Sequence, residues 1–263
     1  MNSPVAEQWI AVLKKELERV PILDPRAYQR FTEIPRWWKQ VYDLQQLAPH
    51  DRILEIGSGS GDQLLPLAAQ GFAVTGLDVS PDVLERCQKI IAALENFCHR
   101  PLSVRLLLGD VMQMQPTEQF ALVFSFGVIE HFTDRAERLA VLRKMREWSA
   151  PNGVCVSVVP NGMHPWRRAM RENKLGGYNI PEIDYGLTSL RAEMLEAGFA
   201  DARAVPLDLF GYRLVCAPPR SWTWRFSRGL NLFFKILPNR WLSLAFRERH
   251  AYLLASVAER NER

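Results

Sequence analysis

From residue 51 onward, short apolar runs alternate with stretches of helical spacing. The runs 52–56, 72–77, 103–108, 120–126 and 153–159 are rich in Val, Ile, Leu and Phe, which predicts strands buried on both faces. Between them, 61–70, 81–97 and 134–148 read as helices, with Ser80-Pro81 and Thr133-Asp134 as starts. A helix over 188–197, opened by Thr188 and closed by Gly198, leads to a sixth strand at 202–207. The run 250–257, "HAYLLASV", is the last strand. Strict alternation of this kind predicts a doubly wound α/β fold around a mainly parallel sheet.

The pattern differs before residue 51. Residues 4–20 predict an amphipathic helix with Val5, Trp9, Val12 or Leu13, and Leu17 on one face, ended by Pro21 and Pro25. A second helical stretch, 26–47, carries Tyr28, Phe31, Trp37, Trp38, Tyr42 and Leu47, and Pro35 splits it. Two later segments also break the alternation. They are 160–187, rich in Gly, Pro and aromatics, and 208–249, which separates the last two strands.

Composition narrows the class. The 263 residues fit one large α/β domain, and 48% hydrophobic content is ample for its core. No uncharged apolar run reaches the roughly 18 residues of a membrane span. Residues 1–20 hold Glu7, Glu16 and Glu18 and show no signal-peptide core, so the expected location is cytoplasmic. Cys87, Cys98, Cys155 and Cys216 match no zinc or thioredoxin spacing; reduced thiols and no metal site are expected. The net charge of +4 is unevenly placed, because 213–249 holds eight Arg or Lys against one acid, Glu248.

The candidate chemistry begins at "ILEIGSGSGD", residues 53–62. Gly57, Gly59 and Gly61 follow a strand and open a helix, where glycines let a ligand approach the backbone. A dinucleotide fingerprint needs a small residue at its sixth position, and here that position is Asp62. Glu55 adds a second acid. Two carboxylates oppose a pyrophosphate but suit S-adenosylmethionine, which carries a sulfonium and an ammonium and no phosphate. A carboxylate–ammonium bond is worth roughly 1.5–3 kcal/mol net. Asp78 ends the second strand, about 20 residues past the loop, where ribose hydroxyls are met. Asp110 follows the third strand and can accept from an adenine amino group, with Val111 or Met112 on the ring. The turn Ser125-Phe126-Gly127 can offer backbone groups to the methionine end.

These motifs make the stretch from 51 to about 160 similar to the class I S-adenosylmethionine-dependent methyltransferases. "ILEIGSGSG", "GLDVSPDVLERCQ", "LLLGDVMQM", "FALVFSFGVIEHF" and "APNGVCVSVVPN" resemble that family's successive motifs. The resemblance implies a seven-stranded sheet whose reversed last strand, 250–257, enters beside the fifth. It implies a cofactor set of Glu55, Gly57, Ser58, Gly59, Gly61, Asp62, Asp78, Val79, Asp110, Val111, Phe126 and Gly127. It points to no subfamily. The chain then divides into a helical cap (1–50), a cofactor-binding half (51–160), a substrate-lid insertion (161–187) and a C-terminal half (188–263) holding the basic aromatic insertion 208–249.

Methyl transfer needs a nucleophile held in line, and a base where the acceptor is a hydroxyl or an acidic carbon. His131, in Glu130-His131, is one candidate base and His164 is the other; each can equally serve a turn. Tyr178 and Tyr185 can orient an acceptor or line a wall, while Glu182 and Asp184 suit solvated loop positions. The Asn-Pro-Pro-aromatic motif, which in this family accompanies amide or nucleobase nitrogen methylation, is absent; the position reads Ser125-Phe126-Gly127-Val128. A small, amphipathic or hydrophobic acceptor methylated on O, C or N is therefore expected, rather than nucleic acid. The alternatives are a non-catalytic S-adenosylmethionine-binding regulator and an NAD(P)-dependent oxidoreductase.

In the insertion, 222–237 reads as a helix ended by Pro238. Trp222, Phe226, Leu230, Phe233, Phe234 and Leu237 share one face, and Arg225, Arg228, Asn231 and Lys235 the other. Such a helix can be a lid packed on the core, a peripheral membrane contact, a nucleic-acid patch or part of a homodimer. A monomer or a homodimer is expected.

Overall fold

The computed structural model describes residues 6–11, 25–48, 50–167, 181–211, 221–236 and 241–260. The sequence expectations for residues 12–20, Tyr178, Cys216 and Leu237 fall outside the described residues. Seven strands form one sheet: β1 (Arg52–Ile56), β2 (Ala73–Asp78), β3 (Val104–Leu108), β4 (Phe120–Phe126), β5 (Ser149–Pro160), β6 (Asp201–Leu209) and β7 (Ala251–Glu259). Their order is β3-β2-β1-β4-β5-β7-β6. β1, β2, β3, β4 and β5 pair in parallel, and β7 runs antiparallel to both β5 and β6. This is the doubly wound α/β fold with a reversed last strand that the sequence implies.

The chain leaves β1 toward β2 and β3, then returns to β4 on the other side. That reversal opens a crevice at the C-terminal ends of β1 and β4, where open α/β sheets bind ligands. The period-2 pleat divides each central strand between two cores. Ile53 joins Leu64, Ile90, Leu94 and Phe124 on one face, whereas Leu54 and Ile56 join Met145, Trp148, Leu190 and Met194 on the other. The covering helices are α1 (Leu64–Ala69), α2 (Pro81–Cys98), α3 (Arg135–Trp148) and α4 (Leu187–Glu196).

The helix starts follow side-chain chemistry. Ser80 caps α2 by accepting from Val83 N at 3.4 Å, and Asp134 caps α3 by accepting from Ala136 N at 2.8 Å. The expected cap Thr188 is instead inside α4, which begins at Leu187 behind Gly186.

Residues 6–11 are helical, and 25–48 hold short turns rather than the expected longer helix. Tyr28, Phe31, Trp38, Val41 and Leu44 are buried against the Ile53 face, so Tyr28 and Trp38 belong to the core. The Trp38 ring meets Phe124 edge-on at 5.1 Å. The insertion after β6 contains α5 (Trp222–Ile236) and α6 (Leu244–His250), the second of which the sequence pattern did not reveal.

Candidate active site

The glycine loop is tied to the end of β2. Gly57 N and Ser58 N both donate to Leu77 O, at 2.8 and 3.1 Å. Gly59 N donates to Asp78 Oδ2 at 2.8 Å, and Ser80 N donates to Asp78 Oδ1 at 3.0 Å. Asp78 therefore clamps the loop, a role its position alone did not reveal. Each carboxylate oxygen keeps a second lone pair, so the same group can accept from a diol. Burial raises the Asp78 pKa, and these N–H bonds work against that shift. Gly57 has φ +71°, and a Cβ there would lie 2.5 Å from Val128 Cγ2. Gly59 has φ +53°, but a Cβ there would meet nothing within 4 Å. Its backbone faces open space beside Asp78.

Glu55 is 2% exposed, and its Oε2 has no hydrogen-bond partner among the described residues. Burial first, then the neighbouring Asp62 and Asp78 carboxylates, push its pKa well above the usual range. An orphaned buried acid among acids is costly unless a cation or donor meets it. The residues present thus fit S-adenosylmethionine, whose sulfonium and ammonium supply positive charge, and oppose a phosphate. Asp62 itself is exposed and acts on the site through its charge.

Other expected contacts are redistributed. Asp110 caps its own turn, with Met112 N donating to Oδ1 at 2.9 Å, and follows β3 two residues past Leu108, the residue that pairs with Asp78. Val111 packs into the core with Leu77 and Ile129, leaving the half-buried Met112 better placed for a ring. Val79 is half-buried at the end of β2. Ser125 turns inward, its Oγ 3.1 Å from Ser157 Oγ. Gly127 N donates to Val158 O at 2.8 Å, so this N–H is committed to the sheet rather than to a ligand. Phe126 is half-buried with Trp37 at 6.0 Å, and Trp37 Nε1 donates to Gln63 Oε1 at 3.2 Å. Trp37 is the cap aromatic that reaches the loop.

Past β4, the turn Ile129–His131 meets residues 181–185. Ile183 N donates to Glu130 O at 2.8 Å, and His131 Nδ1 lies 3.3 Å from Pro181 O. That contact makes Nδ1 the protonated nitrogen and leaves the lone pair on Nε2, 3.8 Å from Glu130 Oε1. Trp9 meets the His131 ring edge-on at 4.8 Å. Burial lowers the His131 pKa. Burial also raises Glu130 to about 8, with the Glu182 carboxylate adding to the shift. Glu130, His131 and Glu182 each bring one possible ligand atom within 4.8 Å of the others. The cation that meets this group is the guanidinium of Arg167, which pairs with Glu182 and lies 3.8 Å from Asp184. Glu182 is thus an ion-pair partner beside His131 rather than a solvated loop acid. Arg167 had no distinguishing signal in the sequence.

His164 is buried in the 161–167 turn, where its Nδ1 accepts from Trp166 N at 3.1 Å. Tyr185 does not line the crevice. It is buried, and its hydroxyl donates to Glu193, which pairs with Arg138 at 3.0 Å.

Residues 25–203 match the family model of a methyltransferase domain. The chain belongs to this methyltransferase domain family. The match starts at the turn that buries Tyr28 and ends in β6, outside the insertion that carries α5. Among curated relatives, the domain is 25% identical over 205 residues to a tRNA U34 carboxymethyltransferase of Shewanella amazonensis, covering 73% of this chain and 58% of the relative. It is 28% identical over 108 residues to a carboxy-S-adenosyl-L-methionine synthase of Glaesserella parasuis, covering 40% and 42%. The chain spans about half the length of the tRNA-named relatives it matches, 58% and 54% for two Shewanella proteins. Among solved structures, magnesium protoporphyrin IX methyltransferase of Synechocystis aligns with TM-score 0.58 at 12% identity over 98% of both chains. A putative methyltransferase of Haloferax volcanii, solved with the Trm112 activator, aligns with TM-score 0.57 at 15% identity over 98% of both chains. These two likenesses concern the methyltransferase fold.

Proposed function

We propose that the chain transfers the methyl group of S-adenosylmethionine to a small, amphipathic acceptor. Glu55, the 57–61 loop, Asp78 and Asp110 hold the cofactor, which supplies a methyl carbon already activated by its sulfonium. The observation that carries the acceptor reading is the buried pairing of neutral His131 with Glu130 under the Trp9 ring. His131 Nε2 takes the acceptor proton, while the Pro181 carbonyl fixes the ring through Nδ1. Glu130 stands 3.8 Å away, and its carboxyl, held protonated by burial, must release that proton before it can balance the imidazolium. Trp9 closes one side with an apolar surface that excludes water.

The test is S-adenosylhomocysteine calorimetry followed by label transfer from methyl-labelled S-adenosylmethionine into fractionated small-molecule extracts. Binding with transfer that His131→Ala abolishes supports the reading. Binding without transfer into any fraction favours the non-catalytic regulator. A second reading, an RNA acceptor, has one specific observation behind it: the matched relatives are named for tRNA U34. Label entering the tRNA fraction in place of small molecules would establish it.

A further inference from the structure

The outward face of α5 is more apolar than its inward face. Ser227 and Asn231 are 5% and 4% exposed, and Asn231 Nδ2 donates to Asp208 Oδ1 at 3.1 Å and Leu209 O at 2.6 Å. Leu230 and Phe234 complete the inward side. Outside, Trp222 is 77% exposed, and Phe226 and Phe233 are each 53% exposed. At 100° per residue these three aromatics fall within about 40° of one another. Exposed Arg225, Arg228 and Leu232 form the adjoining stripe. Past the helix, Trp241 is 71% and Leu244 52% exposed. A helix that turns Ser227 and Asn231 inward and Trp222, Phe226 and Phe233 outward leaves an apolar patch in water.

We propose that this face of α5 docks on an anionic lipid surface. The aromatics would enter the boundary between headgroups and acyl chains, and Arg225 and Arg228 would meet the headgroup phosphates. Charge selects this occupant. The segment 213–249 holds eight basic residues against one acid, and among its described residues Arg225, Arg228 and Arg249 are exposed, so the segment attracts an anionic surface. A second copy would set arginines against arginines. For the bases of a nucleic acid, Trp222 and Phe226 offer only one ring face each, because they stack on each other at 5.7 Å and 9°. Among the described residues no helix is long and apolar enough to cross a membrane, so the contact is peripheral. The sheet register adds a geometric consequence. Leu253 pairs with both Pro160 and Leu207, so β6 ends at the same edge of the sheet as β5, and α5 is anchored at that edge, on the outermost strand three positions from β4. Docking is independent of the acceptor reading, because it concerns residues outside the catalytic set.

The experiment is co-sedimentation of the full chain with vesicles of phosphatidylcholine alone or with one-third phosphatidylglycerol. Two surface variants are compared, Trp222→Ser with Phe233→Ser and Arg225→Glu with Arg228→Glu. Unchanged S-adenosylhomocysteine affinity shows that each remains folded. The expected result is binding to the anionic vesicles that weakens with salt and falls at least tenfold in either variant. No binding to anionic vesicles, equal binding to both compositions, or full binding by the variants overturns the proposal. Two replacements are recognisable without vesicle binding: RNA binding lost in both variants, or a dimer that the aromatic variant dissociates.

Discussion

The backbone N–H of Gly59 donates to the carboxylate of Asp78 at 2.8 Å, joining the two cofactor motifs across 19 residues of sequence. One acid therefore holds the loop in place and faces the expected ribose position. Asp78→Ala should weaken S-adenosylhomocysteine at least about tenfold and also lower stability, since the buried Ser80 N–H loses its acceptor at about 1–3 kcal/mol and the part-buried Gly59 N–H loses its tie as well. Calorimetry and urea unfolding measure the two effects. Unchanged affinity would remove Asp78 from the site.

Gly57 and Gly59 should respond differently to alanine. Gly57→Ala meets both a left-handed backbone and Val128 at 2.5 Å, so it should destabilise the fold by about 2 kcal/mol or more. Gly59→Ala has open space, so its stability loss should stay near the roughly 1–2 kcal/mol of the backbone term while cofactor affinity drops. Equal stability losses with intact affinity in both would argue that nothing approaches the loop at Gly59.

The Glu130 carboxyl is raised from 4.5 to about 8, chiefly by burial. The folded chain then keeps a proton that the unfolded chain releases. This group's stabilisation is complete below the unfolded value and is lost as pH rises through the folded one. Glu130→Gln cannot ionise, so the parent's melting temperature should fall relative to the variant's between about pH 5 and pH 8. A constant difference across that range would show that Glu130 does not titrate there.

Burial pushes the thiols of Cys87 and Cys155 up to about 12. Both should resist iodoacetamide in the native state at neutral pH, because the thiolate is the reactive form. The half-buried Cys98 should label first among the three. Peptide mass spectrometry after timed alkylation reads the order, and early labelling of Cys87 would contradict its burial.

Tyr185→Phe should cost about 1–3 kcal/mol, the penalty for leaving the buried Glu193 short of a donor. S-adenosylhomocysteine affinity and any methyl transfer should be unchanged. A selective loss of transfer without loss of stability would return Tyr185 to the acceptor site.

Much of the sheet was legible because its strands are buried on both faces and so carry long apolar runs. β1 at 52–56 and β4 at 120–126 have the bounds that periodicity predicts. The pattern was less informative where one residue could satisfy two environments. Trp38 and Tyr28 would be equally apolar over a crevice or in a core, and the Phe124 face claimed them. In α5 the sequence places Leu230, Phe234 and the other aromatics on one face. Docking through Asn231 rotates Trp222, Phe226 and Phe233 away from the protein.

The sequence by itself determined the succession along the chain of the seven strands and of α1 to α5, the glycine turn and the acids that favour a cationic, phosphate-free ligand. These are local properties, set by spacing of 2 or 3.6 residues and by the charge of neighbours. Only the tertiary structure decided that Asp78 clamps Gly59, that Glu182 and Arg167 stand beside His131, and that Gly127 spends its N–H on Val158. Such pairings join residues far apart in the chain. Hydrogen-bond geometry and burial select them after the sheet has assembled, and no local pattern encodes which partner will be within reach.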